Sequence, residues 1–173
     1  MIYALTRSKI VHSDKLKTLD GLDHRILEQS PCSPSWWSFK FNGPGLSYEV
    51  ALEVESGHIV WAFGGLPCGR FPDLKIARVK FVKLLRPGEK VVADRGHEDG
   101  RYFMHAKGGS LHRKGLQNML ARHENVNRRI KSFDCLSGTF RQDVSKHSIC
   151  FHAVCNLIQI AIASGEKLPD VAK

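Results

Sequence analysis

The sequence predicts an α/β fold, a mixed sheet flanked by helices, and three observations carry that expectation. Alternation of period two from Tyr48 into a turn at Ser56-Gly57 gives a hairpin, and the short apolar run Lys90-Val-Val-Ala-Asp94 gives a buried strand. Apolar stripes of helical period lie between and after them. The 173 residues, 42% hydrophobic and 25% charged, are enough for one domain over 1–173 with a real core.

The elements follow in order. Thr18-Leu-Asp20 with His24-Arg-Ile-Leu27 reads as a short strand-like segment, and Pro31, Pro34, Gly43, Pro44 and Gly45 mark a long irregular loop. That loop carries Trp36, Trp37, Phe39 and Phe41 interleaved with Lys40, a pattern that either stacks on bases or pins the loop to the core; pinning is the favoured reading. From Tyr48, the alternation puts Val50, Leu52 and Val54 on one face and Glu49, Glu53 and Glu55 on the other, a half-exposed strand, and His58-Ile-Val-Trp-Ala-Phe63 returns antiparallel to it.

Phe71-Pro-Asp73 opens a helix that Pro87-Gly88 stops, with Pro72 and Asp73 suited to its first turn. The strand at 90–94 then delivers Asp94 to its carboxyl end, where open α/β sheets build sites. The glycine-rich stretch after it, with Arg101, Lys107, Arg113 and Lys114, reads as a phosphate-facing loop. Met119, Val126, Ile130 and Phe133 set a helical stripe that leaves Glu124 and Lys131 on another face. A last helix runs from near Lys146 to Ser164-Gly165; its apolar stretch is broken by His152, Asn156 and Gln159 and fits a core helix rather than a bilayer span.

A net charge of +9 and a pI near 9.5 imply a polyanionic partner, and nucleic acid fits better than an acidic membrane because no basic amphipathic stretch carries an exposed apolar face. Arg7 and Lys9 interrupt the start before a signal-type apolar run develops. The five cysteines are odd in number and unpaired in spacing, as for free thiols. His147, Cys150, His152 and Cys155 lie at offsets that cannot converge tetrahedrally on zinc.

Three acids stand out by position: Asp20 in the first strand, Asp94 after the later strand and Glu124 on the following helix. Carboxylates so grouped suit Mg²⁺ or Mn²⁺, and two such ions roughly 3.5 to 4 Å apart promote in-line displacement at phosphorus. The bland counterpart is an ordinary helix pair between Glu124 and Arg128.

Leu19-Asp-Gly-Leu-Asp23, Lys40-Phe-Asn-Gly-Pro-Gly-Leu-Ser-Tyr-Glu-Val50, Gly57-His-Ile-Val-Trp61, Pro67-Cys-Gly-Arg-Phe-Pro-Asp73, Val92-Ala-Asp-Arg-Gly96, Arg122-His-Glu-Asn-Val-Asn127 and Phe140-Arg-Gln-Asp143 occur in an order that resembles the Harbinger-like DDE superfamily endonucleases and transposases. The resemblance runs from Thr18 through Gln159. It implies an RNase H-like fold and a metal-dependent DNA endonuclease with Asp20, Asp94 and Glu124 as catalytic metal ligands, Asp73 competing with Asp94 and Asp23 with Asp20. It further implies nuclear location and a separate DNA-binding accessory protein. Lys131 resembles the phosphate-contacting lysine on the glutamate helix, and Arg128, Arg122, Lys114 and Arg113 join it as candidate DNA contacts. Leu22 and His97 depart from the threonine and tyrosine common in the family. Only 19 residues precede Asp20, which leaves no room for an upstream helix-turn-helix and points to a truncated or domesticated copy; an inactive DNA-binding or interaction module is the alternative.

Overall fold

A computed structural model describes residues 15–105 and 110–168, apart from the side chains of Arg95 and 110–113. The architecture is α/β: a six-stranded mixed sheet flanked by helices. Strand β1 (Lys17–Arg25) is central, antiparallel to β3 (Gly43–Glu53) on one side and parallel to β5 (Val91–Ala93) on the other. The path runs β2-β3-β1-β5-β6, with β2 at Trp37–Ser38, β6 at Phe103–Met104, and β4 (Ile59–Pro67) pairing with β3 as the returning arm of the hairpin.

Helices cover both faces. Helix α1 (Asp73–Ile76) continues through a π turn and a 3₁₀ turn to Leu84, so the expected helix forms with an uneven pitch. On the other face lie α2 (Ser110–Lys131), the short α3 (Asp134–Ser137) and α4 (Val144–Ala163). Asp143 caps α4 by accepting the Ser145 N–H at 2.8 Å.

Successive residues of β1 and β3 point to opposite faces and build two cores. Leu22, Tyr48, Val50 and Leu52 pack with Val126, Ile130, Phe151 and Ile158 under α2 and α4. Leu19, Ala51 and Trp61 pack with Ala77, Phe81 and Val91 under α1 and its continuation.

Four expectations are corrected. The first strand is one continuous nine-residue element, because β3 pairs with it over its whole length. Strand β3 is buried on both faces: Glu49 and Glu53 are inside, the first facing His97 and the second held by Lys15 and Ser56. Charged residues at period two thus marked the second covered face of a central strand, not solvent. Helix α2 begins at Ser110 and takes in Lys114, where the glycines of the sequence predict a loop. The aromatic loop is only partly pinned: Trp36 packs on the core, while Phe39 is 88% and Trp37 40% exposed.

Candidate carboxylate site at the end of the parallel strand

Strand β5 ends at Ala93, which pairs with Leu19, whereas β1 runs on to Arg25. Beyond the end of β5, the β1 backbone is therefore open on one side, and Asp20 and Asp94 occupy this notch as neighbours. Asp20 faces α2: its Oδ2 accepts from Asn127 Nδ2 at 2.8 Å and its Oδ1 from the Gly21 N–H at 2.9 Å. Burial, and then the charge of Asp94, push its carboxyl up to about 6. Asp94 is half-exposed and held below its ordinary value, first by its hydrogen bond from His97.

His97 is fully buried between two acids: Nδ1 lies 2.9 Å from Asp94 Oδ1, and Nε2 lies 2.9 and 3.0 Å from the two oxygens of Glu49. Since both partners accept, the ring carries both protons and is an imidazolium. Burial pulls its pKa down, but the hydrogen bonds to Asp94 and Glu49 outweigh that and raise it. Burial likewise raises Glu49, against the pull of His97.

Asp73 reaches the notch from the α1 face. Its carboxylate lies over Gly21, where a Cβ would stand 2.5 Å from Asp73 Cγ, so residue 21 has to be glycine for Asp73 to sit there. Its Oδ2 accepts from Lys40 Nζ at 2.8 Å and its Oδ1 from Ser47 Oγ at 3.2 Å. Lys40 also approaches Asp23 Oδ1 at 3.6 Å and donates to the Gly21 carbonyl at 3.3 Å. Asp73 is thus the first residue of α1 without acting as its side-chain cap, and Asp23 is taken up by Lys40 and by Ser38 Oγ.

The structure brings together Asp20 and Asp94, with Asp73 beside them but neutralised by Lys40. It does not bring Glu124 into that group. Glu124 is exposed, lining a shallow recess with Ala121, Asn125 and Arg128, and among the described residues it makes no hydrogen bond or ion pair. The α2 residues that touch the site are instead Asn127, on Asp20, and His123, whose Nδ1 lies 2.8 Å from Thr18 Oγ1. Glu124 lies one turn before Asn127. Among the described residues, no three histidine, cysteine or carboxylate groups converge as a ready metal cage.

The basic residues separate by position. Lys131 is at the rim, where burial and the charge of Lys40 lower its pKa against the pull of Asp23 and Asp20. Arg122 donates to the carbonyls of Val54 and Glu55 at 2.7 and 2.8 Å and so ties α2 to the hairpin turn. Arg128 and Lys114 are exposed, and the Arg113 side chain lies outside the described residues.

Sequence reasoning missed Glu49, His97 as a bridge, Lys40 as a counter-ion and Asn127. The available signals were a histidine three positions after Asp94 and a glutamate in an otherwise apolar strand. None of the described helices is long and apolar enough to cross a membrane. Comparison with known proteins returns no matching family model, no matching curated protein and no matching solved structure.

Proposed function

We propose that the chain is a divalent-metal-dependent DNA endonuclease domain of RNase H-like fold, derived from a Harbinger-like DDE transposase. The observation that carries this reading is the pair Asp20 and Asp94 at the open edge where β5 ends beside β1. A buried carboxylate whose ionisation a second one opposes calls for a cation or a proton, and the all-oxygen donor set of the pair fits Mg²⁺ or Mn²⁺. A central strand with an antiparallel neighbour on one side and a parallel one on the other supports the fold assignment, and the +9 charge supports a nucleic-acid substrate.

In this reading, Asp20 and Asp94 would hold the metal, with Glu124, one turn before Asn127, as the third ligand that the family resemblance implies. Bound there, the metal supplies an activated water or 3′-hydroxyl and steadies the leaving oxygen. The chain's own part is to orient. Asn127 and the Gly21 N–H fix the Asp20 carboxylate, His97 fixes Asp94 against Glu49, and Lys40 keeps Asp73 neutralised. Lys131 stands at the rim as a point charge for a phosphate. The product is a cut phosphodiester with a free 3′-hydroxyl.

The test is plasmid nicking in Mn²⁺: Asp20→Ala and Asp94→Ala each abolish it, and nicking that survives both substitutions sinks the proposal. A second reading, a non-catalytic DNA-binding or interaction module, is favoured by one observation: the acids are already engaged by Asn127 and His97 while Glu124 faces solvent. Calorimetric titration with Mn²⁺ separates the two, since the module gives no binding isotherm. For either, nuclear location and an accessory DNA-binding protein follow from the family resemblance.

A further inference from the structure

The turn between β2 and β3 presents an aromatic surface that the carboxylate site does not use. Phe39 is 88% exposed and Trp37 40%, an arrangement that costs solvation and does nothing for the core. The turn is nevertheless held on both sides of Phe39. Ser38 is buried, donates to Asp23 Oδ2 at 2.5 Å and accepts the Lys40 N–H at 3.2 Å, and the Lys40 ammonium is bound to Asp73. The backbone that carries the exposed ring is thus anchored on both sides.

Phe39, Trp37 and Phe71 wall a recess of about 140 Å³ whose floor includes Asp23 and Asp73, so it opens beside the carboxylate notch. Two cations stand beside its Phe71 wall: Arg70 and Lys75 lie 5.5 and 4.8 Å from the Phe71 ring centre. Exposed aromatic side chains with cations beside them match a nucleotide whose base is out of its stack. A base inside a duplex has no free face to offer.

We propose that Phe39 and Trp37 are a stacking site for an unpaired base of the DNA strand that crosses the carboxylate notch, with Arg70 and Lys75 beside Phe71 on its flanking phosphates. The proposal rests on the nuclease reading only for the identity of the polymer. It requires no cleavage.

The experiment is fluorescence anisotropy of the full chain with a 12-nucleotide single strand carrying 2-aminopurine and with a blunt duplex, in EDTA at low salt. Phe39→Ala is expected to weaken single-strand binding about five- to hundredfold, to abolish the change in 2-aminopurine emission, and to leave duplex affinity within about twofold. Phe39→Trp is expected to restore both signals. Because Phe39 is exposed, its thermal melt is expected to match the parent's. Equal affinities of Phe39→Ala and parent for the single strand, equal losses on both DNAs, or no single-strand binding by the parent each overturn the proposal. The assay runs without metal, so a chain that stacks the base but never nicks plasmid refutes the nuclease reading alone. Normal nicking by Phe39→Ala with unchanged single-strand binding refutes the stacking site alone.

Discussion

Asp20 and His24 lie four residues apart on the same face of β1, and the polar groups around them are managed in opposite ways. Around His24, the polar side chains are neutral and sealed. Its Nδ1 donates to the Leu136 carbonyl at 3.1 Å, the Tyr48 hydroxyl lies 2.8 Å from His147 Nδ1, and Phe151 stacks on Tyr48 at 3.9 Å between centres. Around Asp20 there is an excess of acid, with Glu49, Asp73 and Asp94 close by, and His97 and Lys40 answer only part of it. In this neutral network one nitrogen of each histidine is hydrogen-bonded and the other, His24 Nε2 and His147 Nε2, is buried without a partner, a cost the uncharged rings bear far more cheaply than a charge would. A partly answered acid cluster costs stability unless a cation arrives, which is the expected signature of a binding site.

The largest break of this comparison comes from the sealed end. Tyr48 is wholly buried, carries the stack on Phe151 and lies under the Gly64 backbone. Tyr48→Ala should cost about 3–5 kcal/mol by urea denaturation, because it leaves both a cavity and an unpaired His147 nitrogen. A cost below about 1 kcal/mol would mean that this end is not the stabilising one.

Acidification tests the two ends against each other. Burial drives His24 and His147 down to about 4 and His123 down to about 3. For each, the unfolded histidine binds protons first, so its contribution is complete above about pH 6.5 and is lost as pH falls toward 4. Asp20, up at about 6, and Glu49, also raised, act in reverse: the folded protein binds their protons first, so falling pH relieves them. His24 and His147, joined by His123 beside the carboxylate site, outweigh Asp20, Glu49 and the raised His97, for a net loss on the order of 1–3 kcal/mol between pH 7 and 4.5. Stability that rises over this interval would mean that relief of the acids outweighs protonation of the buried histidines.

How much of this was readable beforehand depended on whether a residue's partner was near in sequence. The hairpin, the strand before Asp94 and α4 follow local periodicity, and the pairing of Asp20 with Asp94 follows from placing one on a strand and the other just past a strand end. Glu49 was read as solvent-facing because its partner His97 lies 48 positions away, and Lys40 was read as part of an aromatic loop because Asp73 lies 33 positions on. Asn127 was inside a quoted motif, yet nothing local shows that it, rather than Glu124, is the α2 residue in contact with Asp20. The β6 strand has two residues, too short for any period to register.

The smallest effect is the most diagnostic, because its sign is unusual. Asp20→Asn should stabilise the metal-free protein at pH 7 by about 1–2 kcal/mol, since it removes an ionised carboxylate from beside Asp94. The fold can accept the change. The Asn127 amide donates to Asp20, while its own carbonyl oxygen is buried without a partner, so turning that amide over lets it accept from the new side chain. The gain should shrink as pH falls below about 6, because Asp20 then sheds its charge by itself. Millimolar Mn²⁺ should raise the melting temperature of the parent and not that of Asp20→Asn, since a ligand that binds only the folded state stabilises it. A variant less stable than the parent at pH 7, yet equally stabilised by Mn²⁺, would show that Asp20 is a structural acid and that the cation binds elsewhere.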